Sequence, residues 1–230
     1  MGGGVEEAVR IADLAEKLRA YKVSLAYSYC FVIWASILVG LPLACTAIMF
    51  SPWFRAIGAY YLAIFLTTVG LGIAISLALM FFLLSKMGAL GTPRASVIWS
   101  LAFSIPFAFT YLLLSSLGLW GLMPVAWCPA GGVAFLVVGL TIENSLVKEG
   151  LVKARPFLLT GILALASSVP VLYLASRPEP CEYLVASRPA WSWMAGPLSA
   201  MLLASALYLV ISFVASMYTF LRAERAVLGP

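Results

Sequence analysis

The chain contains no histidine and no glutamine, and Asn144 is its single asparagine. Without imidazole there can be no Ser–His or Cys–His nucleophile pair and no histidine-ligated zinc or haem. No apolar run carries the paired carboxylates that acid–base catalysis needs, and no glycine-rich loop of nucleotide-binding type is present. Catalytic, cofactor-binding and metal-ligating residues are therefore not expected, and the chain reads as a non-enzyme. Depletion of thermolabile amides points towards a thermophilic source. Charge is scarce as well: 14 Lys and Arg and 9 Asp and Glu make up 10% of 230 residues, against about 25% in soluble domains.

Those charges leave long gaps. Intervals 23–54, 56–85, 95–142, 156–176 and 189–221 hold none, and 63% of the chain is hydrophobic. A helix crossing a bilayer needs about 20 apolar residues, so the expected fold is an all-α integral membrane protein. Six transmembrane helices are expected, near 24–49, 57–84, 95–117, 123–142, 156–176 and 192–220. The interval 95–142 would be roughly 70 Å long as one helix, and Gly118, Gly121 and Pro124 mark a turn inside it.

Positive residues flanking the spans set the orientation. Arg10, Lys17, Arg19, Lys22, Lys86, Arg94, Lys148, Lys153, Arg155, Arg222 and Arg225 would share one side, against Arg55, Arg177 and Arg188 on the other. Both termini are thus expected in the cytoplasm of a multi-pass cell-membrane protein, with 23–221 forming the membrane domain and 222–230 a short cytoplasmic tail. The net charge of +5 follows from this loop bias and does not imply nucleic-acid binding.

Residues 1–22 mix acids and bases, unlike a cleavable signal. Val5, Ala8, Ile11, Ala15 and Leu18 recur at helical spacing, so this stretch is expected to be an amphipathic cytoplasmic helix. It reads as an elbow lying on the inner leaflet, with a docking surface for a partner as the sharper reading.

Prolines stand out within the spans. Pro42, Pro106, Pro129, Pro170 and Pro197 are candidate helix breaks of the kind that line transporter sites, with ordinary kinking as the plainer reading. Leu101 to Pro106 faintly echoes Leu165 to Pro170. Cys30 and Cys45 read as small hydrophobes. Cys128 and Cys181 both map to the outer face, where a disulfide between them is possible. The proline-rich outer loop 177–191 reads as a connector or a cap.

On the inner side, Lys86, Arg94, Glu143, Lys148, Lys153 and Arg155 are candidate docking residues, with Glu143 and Asn144 expected at a solvated helix end. Gly70, Gly72, Ala74 and Ser76, and Ala200, Ala204 and Ala206, are expected to allow close helix contact. The layout resembles the membrane subunit of ABC-2-type exporters: an amphipathic helix, six spans, both termini inside and a proline-rich outer segment before the last span. The resemblance is one of layout across the whole chain. It implies a permease-type subunit energised by a cytoplasmic ATPase docking near Lys86, Gly88, Gly91, Pro93 and Arg94. Two functions are therefore expected from the sequence: a transport component, permease-type or passive channel, or a non-catalytic structural or assembly subunit. The expected partners are the lipid bilayer and a protein partner or further copies of the chain.

Overall fold

The computed structural model describes residues 3–50, 53–88, 93–177 and 195–228. The described residues are helical, with no strand among them. The elements are α1 (Gly3–Phe50), α2 (Trp53–Lys86), α3 (Pro93–Ser116), a 3₁₀ turn (Trp120–Val125), α4 (Trp127–Val138), a π turn (Gly139–Glu143), α5 (Asn144–Lys148), α6 (Pro156–Ala175) and α7 (Ala195–Leu228). Among the described residues, five apolar helical stretches are long enough to cross a membrane: Val5–Gly40, Ala95–Ser116, Trp127–Lys148, Pro156–Ala175 and Gly196–Arg225. In α2 the described apolar stretch is Gly70–Lys86.

The turns fall where glycine permits them. Gly118 (φ 70°) ends α3, with Leu119 N–H donating to Leu114 O at 2.9 Å and Gly118 N–H to Ser115 O at 3.1 Å. Gly150 (φ 73°) closes α5 in the same way onto Leu146 and Val147. Both are glycine caps that satisfy the last carbonyls of a helix.

Two expectations are corrected. The amphipathic N-terminal stretch is not a separate elbow helix: α1 runs unbroken for 48 residues from Gly3 to Phe50. Nor do the prolines interrupt their helices. Pro42 lies within α1, Pro106 within α3 and Pro170 within α6. Pro129 and Pro197 each stand third in their helices, α4 and α7, where the first turn has no intrahelical acceptors to lose. The irregular backbone lies instead at the proline-free π turn Gly139–Glu143.

The helices pack in an arc. α2 lies on α1, α1 on α7, α7 on α6, α6 on α4 and α4 on α3. Small residues make the close contacts. Ser28 and Ser216 share a hydrogen bond across α1 and α7, with Oγ–Oγ at 2.7 Å, and Ala200, Ala204 and Ala215 of α7 are buried. The α4–α6 pair is closer still. A Cβ on Gly132 would stand 2.9 Å from the Leu165 side chain, one on Gly139 2.6 Å from Leu158 N, and one on Gly161 2.6 Å from Leu136 N. These three facing pairs define one antiparallel register. Of the small residues expected to pack, Gly70 and Gly72 have nothing within 4 Å of a Cβ, and Ala74 and Ala206 are exposed.

Across the arc, α1 meets α3, α4 and α6 through aromatic rings. Phe31 and Phe157 are 4.9 Å apart, Trp34 stacks on Phe103 at 5.3 Å, and Trp99 stands edge-on to Phe157 at 5.2 Å. Phe135 meets Phe103 edge-to-face at 5.5 Å. Such tilted and edge-on pairs add about 0.5–1.5 kcal/mol each beyond area burial. They fill the space between helices whose backbones stay apart.

Candidate functional site

The most unusual side chain is Glu143. It is only 1% exposed, the one buried charged side chain among the described residues. Pro156 opens α6 and has no N–H, so the first donors of that helix belong to Phe157 and Leu158. Arg155, at the cap position, offers no side-chain acceptor. Glu143 supplies both: Phe157 N–H donates to Oε1 at 2.9 Å and Leu158 N–H to Oε2 at 3.0 Å. Leu159 N–H then bonds Arg155 O at 3.1 Å. Every donor of the first turn is satisfied, and the carboxylate sits at the positive end of the helix dipole.

The π turn brings Glu143 into place. Its extra backbone residue lies where Gly139 touches the Leu158 backbone, a close approach that only glycine allows. The surroundings complete the knot. Asn144 Oδ1 accepts from Arg155 Nη2 at 3.3 Å, and Arg155 attracts the carboxylate electrostatically. Tyr27 of α1, buried, stands edge-on to Phe157 at 5.1 Å and interacts electrostatically with Glu143. Glu143 is therefore not the solvated helix end expected from its position. Both its oxygens are committed to the backbone of α6, so its role is to hold this end of the bundle.

Lys86, Lys148, Lys153 and Arg155 are all exposed, as docking residues must be, and Lys86 Nζ lies 5.7 Å above the Phe82 ring. Arg94 stands in the first turn of α3; its side chain and Gly91 are outside the described residues. A cleft of about 400 Å³ opens between α1 and the α5–α6 connection, lined by Ala15, Glu16, Arg19, Glu149 and Leu151. Rigid helix ends, fixed by Glu143, thus frame a charged recess. Among the described residues, no group of three Asp, Glu or Cys side chains could hold a metal.

At the opposite end lies Cys128, one half of the disulfide considered from the sequence. Cys128 is a fully buried free thiol facing the bundle, with Sγ 3.4 Å from Ser168 Oγ of α6. Its carbonyl accepts the Tyr208 hydroxyl of α7 at 2.6 Å. It points inward because the first turn of α4 packs on α6 and α7. Cys181 and the outer loop from 178 to 194 lie outside the described residues.

Sequence reasoning missed the Gly132–Gly139–Gly161 seam and the capping role of Glu143. Gly132 and Gly139 are seven residues apart, a repeat that could have signalled one packed face. A lone acid ending an apolar run, followed by Arg155-Pro156 at the next helix start, was the available sign of the cap. No family model, no curated protein and no solved structure matches this chain.

Proposed function

We propose that the chain is a non-catalytic membrane subunit that anchors a partner protein at its basic end. The observation that carries this reading is the course of α1. At about 1.5 Å per residue, its 48 residues extend about 72 Å, more than twice the roughly 30 Å hydrocarbon core of a bilayer. Residues 5–19 are exposed, with Ala15, Glu16 and Arg19 facing the cleft. A rigid helix projecting from a closely packed bundle is a handle for assembly. In this reading α2 is the sixth span, both termini lie on the cytoplasmic side with the basic loops, and the bundle sits in the cell membrane.

A second reading is favoured by the exposure of Lys86, Lys148, Lys153 and Arg155 and by a cleft lined in part by Arg19, Glu16 and Glu149. In it the partner is a cytoplasmic ATPase and the bundle is a permease-type subunit. Purification from its own membrane in mild detergent tests both. Stoichiometric retention of a partner supports anchoring, and ATP hydrolysis by that complex selects the permease reading. A monomer that retains nothing, and is unchanged by Leu14→Asp with Leu18→Asp, would overturn both.

A further inference from the structure

The outward side of the projecting helix carries a second pattern. Val23, Ala26, Tyr27, Cys30 and Phe31 are buried and mark the side of α1 that faces the bundle. At about 100° per residue, Ile11, Leu14 and Leu18 fall on the other side, in line with the exposed Tyr29 and Val32. They are 62%, 55% and 44% exposed. With Tyr21 and Leu25 below them they alternate at spacings of three and four, the a and d positions of a heptad seam. Glu7 closes the seam at its N-terminal end. The residues flanking the seam are Arg10 and Lys17 on one edge and Ala15 and Lys22 on the other; Asp13 and Glu16 lie on the far side. Lys17 also pairs with Asp13, at 2.8 Å, an exposed contact of the kind that contributes little.

Resting on the anchoring reading above, we propose that Ile11, Leu14 and Leu18 dock one amphipathic α-helix of a partner protein, apolar at its own a and d positions and acidic on its flanks. The basic edges select acidic ones by charge complementarity. A second copy fits poorly, because a parallel pair would set Lys17 against the other copy's Lys22. A lipid surface fits poorly too. The helix continues the first span without a break, which carries Leu14 and Ile11 away from the bilayer instead of laying them on it.

The test uses the full chain in nanodiscs of neutral lipid and two labelled helical peptides of about four heptads, both with Leu and Ile at a and d. One carries Glu at its e and g positions and the other Lys. The Glu peptide should bind roughly tenfold more tightly than the Lys peptide. Leu14→Asp with Leu18→Asp should abolish binding, and Arg10→Glu with Lys17→Glu and Lys22→Glu should reverse the preference. All these side chains are exposed, so the bundle should fold unchanged. Equal binding of both peptides would overturn the proposal. So would a dye on Leu18→Cys that responds to anionic vesicles but not to peptide, or a Leu18→Cys chain that crosslinks to its own copies. A partner retained in detergent despite Leu14→Asp with Leu18→Asp would sink the seam while leaving the anchoring reading intact.

Discussion

Replacing Gly161 with alanine should separate α6 from α4. The new Cβ would lie 2.6 Å from Leu136 N, 2.7 Å from Leu136 Cγ and 3.0 Å from Leu136 Cα. Two of these atoms are backbone, so no rotamer change relieves the clash. Restoring an ordinary 3.4 Å contact needs a shift of about 0.8 Å. Overpacking of this kind costs about 1–3 kcal/mol, while alanine's better helix propensity returns at most about 1 kcal/mol. The net loss should be about 1–2 kcal/mol. Gly72→Ala is the control. It meets nothing within 4 Å, so only the propensity gain applies and stability should hold or rise. Reversible unfolding of the purified protein in mixed micelles, followed by helicity, measures both. Gly139→Ala should behave like Gly161→Ala, because its Cβ would meet Leu158 N at 2.6 Å in the same register. The double variant should lose less than the sum, since one shift of the helices accommodates both methyl groups. Equal effects for Gly161→Ala and Gly72→Ala would refute the seam.

Other substitutions probe the remaining contacts by the same unfolding measurement. Glu143→Ala strips the acceptors from Phe157 and Leu158 N–H and should cost about 1–3 kcal/mol. Glu143→Gln should not rescue it, because its NH₂ would face an N–H; full rescue would show that the cap is not bidentate. Coupling between Ser28→Ala and Ser216→Ala in a double-mutant cycle should be about 0.6 kcal/mol, and zero coupling would remove the 2.7 Å bond. Thr160 Oγ1 is buried without a hydrogen-bond partner among the described residues, so Thr160→Val should be neutral or stabilising by about 1 kcal/mol; a clear loss would reveal a partner. Cys128 should take up maleimide when the unreduced protein is denatured and resist it in the native bundle. Lack of labelling after denaturation would restore the disulfide.

Much of the architecture could be read from the order of residues. The apolar interval 156–176 reappears as α6, Pro156–Ala175, and the turn expected near Gly118 is a glycine cap. Span length is set by bilayer thickness and rise per residue, both local quantities, so sequence suffices for them. Packing was far less legible. Gly70 and Gly72 look as suited to close contact as Gly132 and Gly161, yet only the latter face another helix. Glu143 stands at the end of an apolar run, where position along the chain suggests solvent, whereas its burial comes from the start of α6 lying over it.

The sequence by itself determined that this chain is helical, apolar over bilayer-length stretches and without histidine. Composition and period carry that information, because backbone groups in lipid must be satisfied within each helix. Only the tertiary structure decided which glycines touch, that the prolines leave their helices whole, that Cys128 points inward, and that a single buried carboxylate fastens the start of α6. Those outcomes depend on which helix lies beside which and in what register. Each helix satisfies its own backbone, so nothing in its local sequence names its neighbour.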